Sequence, residues 1–141
     1  MSDQWRYQLR VYLPDDLAEV ARRDRSNRAL RPLADILEAH QASMLCHLEA
    51  FENYLAEAEQ EGRQNDPLYK WTRATLEDPA KRTQHGRTFE LHVSGDAVYP
   101  REAADALEGA LRPLVGGGLV TRVSRHDTNP AANLPVPAEY R

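Results

Sequence analysis

Polar side chains able to bind a small acid alternate with apolar ones in three segments of the chain. The segments are RYQLRVYL (6–13), TFELHV (88–93) and LVTRVSR (119–125). Their candidate ligand-binding residues are Arg10, Tyr12, Glu90, His92 and Arg122. Guanidinium groups bind carboxylates, and an imidazole beside a carboxylate can transfer protons near neutral pH. The pattern therefore predicts a site for a small acidic ligand, with His92, His126 and Glu90 as candidates for acid–base catalysis.

The alternation brings these groups together only if each segment is a β-strand, because successive strand residues point to opposite faces. Tyr7, Leu9 and Val11 would then face a core, while Arg10 and Tyr12 face away from it. A polar sheet face could instead be solvated, or could pair with a second subunit through cross-strand charge pairs.

A short repeat indicates how the strands are connected. ALRPL occurs at 29–33 and again at 110–114, and upstream of these copies YQLRV (7–11) aligns with FELHV (89–93). Because an Ala-rich amphipathic segment follows each strand, the chain reads as two strand–helix units, at about 6–33 and 88–114. Two such units predict an α+β ferredoxin-like sandwich, with an antiparallel or mixed sheet and helices on one face.

The apolar spacing after Pro32 predicts one long helix at about 32–61, ending at Gly62. Such a helix would be about 45 Å long, more than a domain of this size needs, so part of it could face a second subunit. The return strand of the first unit is not located by the sequence. It could lie in the connector at 63–87, or the long helix could take its place.

Charge is segregated along the chain. Three arginines, Arg22, Arg23 and Arg25, precede a stretch at 33–62 that contains seven acidic residues and no lysine or arginine. The candidate partner-binding residues are these arginines and Glu49, Glu52, Glu57 and Glu59. Such charges are usually solvated helix faces. The functional alternative is an acidic face that docks a basic partner, or an arginine cluster that binds an anion.

Metal binding has one weak candidate set. His40, Met44 and His47 would share one face of the predicted long helix, and imidazole and thioether groups can hold copper or zinc. The same positions continue an apolar stripe, and a metal site would need ligands from a second element. We therefore predict packing rather than a metal, expect no cofactor, and interpret Cys46 as a buried, unreactive thiol.

Composition narrows the class of protein. The chain has 141 residues and a formal net charge of −4, which makes nucleic acid an unlikely partner. One cysteine and the lack of an apolar run of membrane-spanning length predict a cytoplasmic protein. Sixteen arginines against two lysines fit a GC-rich bacterial genome. We expect one domain at 1–126 and an extended, proline-containing tail at 127–141.

Two functional hypotheses follow. The first is a small non-enzymatic interaction or accessory protein that forms a homodimer, or docks a protein partner, through the long acidic helix. The alternative is a small-molecule-binding or catalytic ferredoxin-like domain that uses Arg10, Glu90, His92 and Arg122 on its polar sheet face.

Overall fold

The protein is an α+β protein with a four-stranded antiparallel sheet and six helices, seen in a computed structural model that describes residues 5–128 and 136–140. The strands are β1 (Tyr7–Tyr12), β2 (Ala42–Cys46), β3 (Thr88–Val93) and β4 (Arg122–Asp127). The helices are α1 (Asp15–Arg23), α2 (Arg31–Ala39), α3 (His47–Gln60), α4 (Pro67–Glu77), α5 (Pro79–Gly86) and α6 (Arg101–Leu111). Short 3-10 turns lie at Arg28–Leu30, Arg112–Leu114 and Ala138–Tyr140.

The strands lie in the order β2-β3-β1-β4, and each pairs antiparallel with its neighbours. The two central strands are therefore β1 and β3, the strands of the two predicted repeat units. Arg10 lies opposite Glu90 on one side and opposite Ser124 on the other.

One face of the sheet carries the core, under α1, α2 and α6. The alternation in β1 and β3 places Leu9, Val11, Phe89 and Leu91 there, and all four are fully buried. Burying an aliphatic or aromatic side chain of this size contributes about 2 kcal/mol to folding. These buried apolar residues of β1 and β3 therefore attach the helices to the sheet.

The prediction of one long helix at 32–61 is wrong. Helix α2 ends at Ala39, Ala42–Cys46 form the edge strand β2, and α3 begins at His47. The chain reverses at Gln41, whose φ of 55° is in the left-handed region that normally favours glycine. Gln41 is held there because its backbone oxygen accepts a hydrogen bond from the Ser94 backbone N–H. The missing return strand is therefore β2, in neither of the two places that the sequence suggested.

Helices α3, α4 and α5 form an insertion between β2 and β3. The Asp-Pro pairs at 66–67 and 78–79 begin α4 and α5. The Asp78 carboxylate accepts a hydrogen bond from the Ala80 backbone N–H at 3.0 Å, which satisfies a free donor at the start of α5. The insertion is fastened to α1, where the Arg22 guanidinium donates to the backbone oxygen of Gly86.

Two predicted boundaries differ from the structure. The last strand was expected at 119–125, but Leu119 and Val120 are buried ahead of β4, which extends to Asp127. The tail was expected to be extended, but Ala138–Tyr140 form a 3-10 turn that packs against α4. Residues 129–135 and 141 of the predicted tail lie outside the described residues. Within the described part of the chain, no helix is both long and apolar enough to cross a membrane.

Candidate functional site

The sheet presents a polar face opposite the core, and it contains all five predicted ligand-binding residues. The face consists of Gln8, Arg10, Tyr12, Thr88, Glu90, His92, Arg122, Ser124 and His126. Strand pairing fixes their neighbours: Gln8 lies opposite His126, and Tyr12 opposite Arg122. A single row crosses all four strands as Leu45, Glu90, Arg10 and Ser124, so Arg10 lies at the centre of the face.

The polar face is less exposed than a solvated sheet surface. Gln8 and Thr88 are buried, and Arg10 and Glu90 are half-buried. The cover comes partly from the insertion, since His47 at the start of α3 lies with its Nε2 4.0 Å from Glu90 Oε2. A polar group removed from water needs a hydrogen-bond partner, so the face requires a network.

Gln8 is the centre of that network. Its Nε2 donates to Glu90 Oε2 at 2.8 Å and to the backbone oxygen of Ala97 at 2.9 Å. Its Oε1 accepts a hydrogen bond from Arg10 Nε at 2.8 Å. Gln8 thereby holds Arg10 and Glu90 in fixed positions without allowing the two charges to meet directly.

The guanidinium of Arg10 keeps most of its binding capacity. Only Nε has a hydrogen-bond partner among the residues that the structure describes, and none of their carboxylates forms an ion pair with Arg10. Burial lowers the pKa of Arg10, an effect that the nearby Tyr12 and Glu90 partly oppose. A small hollow of about 220 Å³ lies beside it, lined by Gln8, Arg10, Val98, His126, Asp127 and Thr128.

Three histidines are close enough to feel the charge of Arg10. Burial lowers the pKa of His47 to about 3, and the charge of Arg10 adds to this effect. Burial and Arg10 likewise lower the pKa of His85 in α5 and of His126 in β4. All three imidazoles are therefore neutral near pH 7, and each can donate one hydrogen bond and accept another.

A second chain of hydrogen bonds follows β1 and β4. The Tyr12 hydroxyl and Ser124 Oγ are 2.9 Å apart, and Ser124 Oγ is 2.9 Å from His126 Nε2. The Arg122 guanidinium lies 4.9 Å from the centre of the Tyr12 ring, a distance typical of a cation–π contact. Tyr12 and Arg122 thus contact each other, whereas Arg10 is anchored separately through Gln8.

Glu90 and His92, both candidates for acid–base catalysis, do not form a hydrogen bond with each other. His92 Nε2 lies 3.8 Å from Glu90 Oε1, which is too far for a hydrogen bond, and it is buried without a hydrogen-bond partner among the described residues. Glu90 directs its other oxygen to Gln8. The geometry therefore assigns Glu90 a positioning role in the network rather than proton transfer to His92.

The predicted metal ligands lie on separate elements. His40 follows the end of α2, Met44 is in β2 and His47 begins α3, so they do not share a helical face. No cluster of three or more His, Cys, Asp or Glu side chains suited to a metal occurs in the described ranges. Cys46 is fully buried and free, as the sequence predicted.

The predicted partner-binding residues are divided among local contacts. On α3, Glu52 is 3.4 Å from the Arg82 guanidinium, and Glu59 accepts a hydrogen bond from the Tyr69 hydroxyl at 2.7 Å. On α1, Arg22 donates to Gly86, while Arg25, just beyond the helix, lies over the Phe89 ring at 5.1 Å. Glu49 is partly buried, and Glu57 and Arg23 are exposed. Docking by this set stays a prediction.

Sequence reasoning missed His85 and did not place His47 at this site. Both come from the insertion rather than from the alternating strands, and the connector at 63–87 gave no pattern that points His85 toward Arg10. The only local signal was His47 beside the apolar stripe of the predicted long helix.

Comparisons with protein-family models, with curated proteins and with solved structures gave no significant match.

Proposed function

We propose that this protein binds a small organic carboxylate on the polar face of its sheet, with Arg10 as the principal anion-binding group. The observation that supports the proposal is the half-buried Arg10 guanidinium, held only through Nε and adjacent to a hollow. A guanidinium with free terminal nitrogens can bind a carboxylate with two parallel hydrogen bonds.

Burial supports a ligand rather than a structural role for Arg10. A charge taken out of water without an opposite charge is unfavourable for folding. Glu90, opposite Arg10 on the neighbouring strand, offsets part of this penalty, and an anion bound to the terminal nitrogens of Arg10 would offset more of it, while Gln8 fixes the position of the side chain. This arrangement is expected of a binding site that is formed before the ligand arrives.

The neighbouring imidazoles favour a monoanion over phosphate. His47, His85 and His126 are neutral, so they add hydrogen-bond donors and no positive charge. The Glu90 carboxylate, on the same face, also opposes a highly charged ligand. One carboxylate on one guanidinium is therefore the best match in charge.

The finer fold class is part of the proposal. The strand order, with β1 and β3 at the centre and helices after each, supports a ferredoxin-like sandwich in which α3–α5 replace the connection between β2 and β3. In this arrangement the face opposite the helices is available for binding, which is where Arg10 lies.

The test is a titration of the isotope-labelled protein with sodium propanoate, followed by amide chemical shifts. Shifts should concentrate at residues 8, 10, 90 and 126, and Arg10→Gln should weaken binding at least tenfold. Arg23→Gln, an exposed arginine on α1, is the matched control and should bind normally. Inorganic phosphate should bind more weakly than propanoate.

Two results would contradict the proposal. One is propanoate binding that is unchanged in Arg10→Gln. The other is a polar face covered by a second copy of the chain, the alternative of cross-strand charge pairing that the sequence left open for this face. Light scattering at the titration concentration would then show a dimer, and the amide signals of the face would shift on dilution.

A further inference from the structure

Two side chains of opposite charge lie next to each other on the polar face without forming an ion pair. Arg10 and Glu90 are cross-strand partners on β1 and β3, and among the described residues both are hydrogen-bonded to Gln8. Glu90 Oε2 accepts from Gln8 Nε2, and Arg10 Nε donates to Gln8 Oε1, in both cases at 2.8 Å. One amide group therefore holds a cation and an anion in fixed positions beside each other.

Both charged groups keep atoms that a ligand can reach. The terminal nitrogens of Arg10 and Oε1 of Glu90 have no hydrogen-bond partner among the residues that the structure describes. Within the same residues, the buried side-chain atom that lacks a partner is Nε2 of His92, and the free atoms of Arg10 and Glu90 are not buried in this way. The ends of both side chains are therefore open to solvent.

The spacing between the two charges matches that in a small zwitterion. An amide oxygen and nitrogen are about 2.3 Å apart, so the two hydrogen bonds to Gln8 place Arg10 Nε and Glu90 Oε2 within about 8 Å of each other. In an α-amino acid the ammonium nitrogen lies about 3 Å from a carboxylate oxygen, and a charge-assisted hydrogen bond at each end adds about 2.8 Å. One α-amino acid can therefore reach Arg10 with its carboxylate and Glu90 with its ammonium group.

The hollow beside Arg10 has room for such a molecule. Its volume is about 220 Å³, and its lining includes Gln8, Arg10 and the exposed side chain of Val98. A protein cavity of about 150 Å³ binds benzene, which has as many non-hydrogen atoms as alanine. Because Gln8 lines the hollow and also donates to Glu90, the hollow and the Glu90 carboxylate are adjacent. The site therefore suits an amino acid with a small side chain.

Glu90 distinguishes a zwitterion from a simple carboxylate. Its side chain is only 18% exposed, so water and salt screen its charge weakly. A simple carboxylate on Arg10 would bring a second negative charge close to Glu90, and the two like charges would repel each other. An ammonium group on the same ligand replaces this repulsion with an attraction and leaves the net charge of the site unchanged. Glu90 therefore favours a ligand that carries both charges.

We propose that the ligand is a small α-amino acid in its zwitterionic form, with its carboxylate on Arg10 and its ammonium group on Glu90. This inference rests on the proposed function, because it takes Arg10 as the site of the carboxylate. It adds the second charged group of the ligand, and it gives Glu90 a direct contact with that group in addition to its hydrogen bond with Gln8.

Calorimetric titration of the full chain with a matched series of small molecules tests the inference. Alanine should bind at least tenfold more tightly than propanoate or 2-hydroxypropanoate, which carry the carboxylate without the ammonium group. Alaninamide, which carries the ammonium group without the carboxylate, should also bind at least tenfold more weakly than alanine. The series needs no variant, so its result stands whether or not the substituted proteins fold.

Glu90→Gln separates the two ends of the ligand. The new side chain removes the negative charge but keeps an oxygen that can accept the hydrogen bond from Gln8. The affinity for alanine should therefore fall at least tenfold, whereas the affinity for propanoate should rise because the neighbouring negative charge is gone. Glu19→Gln, at an exposed glutamate on α1, is the matched control and should change neither affinity.

The outcomes separate this inference from the function on which it rests. Alanine that binds no more tightly than propanoate, or an advantage of alanine that survives Glu90→Gln, overturns the inference and leaves the anion site at Arg10 intact. Equal losses of alanine and propanoate in Glu90→Gln also overturn it, because Glu90 would then only position Gln8 and Arg10. Failure of both alanine and propanoate to bind through Arg10 overturns both proposals.

Discussion

The two faces of the sheet use neighbouring residues of one strand for opposite purposes. Leu9 and Val11 are fully buried against the helices, whereas Gln8 and Arg10 alternate with them and build the polar face. Gln8 is almost as buried as its apolar neighbours, with 8% of its surface exposed. Burial alone therefore does not distinguish the faces, and the difference lies in what each buried group contacts.

On the core face, large apolar side chains pack against one another, and the Tyr99 hydroxyl makes two hydrogen bonds. On the polar face, the Gln8 amide is engaged at both ends, whereas the terminal nitrogens of Arg10 have no hydrogen-bond partner among the described residues. The core face therefore supplies folding free energy, while the polar face holds Arg10, the group to which we assign the anion.

The largest expected effect is on the core face. Phe89→Ala should lower the free energy of unfolding by about 3–5 kcal/mol, because Phe89 is the largest fully buried side chain. The matched truncation on the polar face of the same strand, His92→Ala, should lower it by less than about 1 kcal/mol. Urea denaturation measures both. Equal losses would mean that the polar face also supports the fold.

The second effect is a dependence of stability on pH. His47 has a pKa of about 3 in the folded state, below its ordinary value, so between these values the unfolded chain binds a proton that the folded protein does not. Stability should therefore fall as pH falls, by about 1.4 kcal/mol per unit from His47 alone below about pH 6.5. His85 and His126 should add to the slope, in the same direction.

His47→Gln isolates the contribution of His47. The groups facing His47 are Arg10, His85, His126 and Glu90, and all of them remain in this variant. Urea denaturation at pH 6.5, 5.5 and 4.5 should show a slope that is shallower by about one proton. An unchanged slope would show that folding does not lower the pKa of His47.

The third effect concerns a hydrogen-bond bridge on the core side. The Tyr99 hydroxyl accepts from the Leu9 backbone N–H at 2.7 Å and donates to the Leu91 backbone oxygen at 3.0 Å. Tyr99→Phe leaves both buried groups without this partner, so stability should fall by about 1–3 kcal/mol. A change below about 0.5 kcal/mol in urea denaturation would mean that water or another group replaces the hydroxyl.

The smallest expected effect is at Arg10. Without ligand, Arg10→Met should change the unfolding free energy by less than about 1 kcal/mol, because removal of a partly buried charge offsets the loss of the hydrogen bond to the buried Gln8 Oε1. Arg125 provides the contrast, since its guanidinium is 2.7 Å from Asp105 and 2.9 Å from Glu108. Arg125→Met should be the more destabilising change in a thermal melt, and the reverse order would assign Arg10 a structural role.

The sequence predicted an element correctly where a single periodicity of apolar residues ran through the whole element. The alternation in β1 and β3 predicted both strands within a residue or so, as well as the shared face of Arg10 and Glu90. It failed at β2, where five residues, ASMLC, lie between two helices whose apolar spacing continues across them. With Gln41 rather than glycine at the reversal, no residue type marked the end of α2.

The candidate site was predictable only in the part that lies on the strands. Arg10, Glu90, His92 and Arg122 follow from alternation, because strand pairing is enough to bring them together. His47 and His85 reach the same site through the packing of α3 and α5, which are far from β1 in sequence. No local pattern records that packing, so their effect on Arg10 could not be derived from residue spacing.

The order of the strands has a consequence for how fast the protein folds. Even the closest pairing, between Cys46 and Phe89, joins residues 43 positions apart, and β1 pairs with β4 across most of the chain. Forming each strand pair therefore costs the entropy of closing a long loop before the pair contributes stabilising contacts. This cost places refolding in the range of about milliseconds to seconds. Stopped-flow refolding should show this rate, and shortening the insertion between β2 and β3 should accelerate it. The insertion α3–α5, which places His47 beside Glu90 on the polar face, should thus also delay assembly of the sheet.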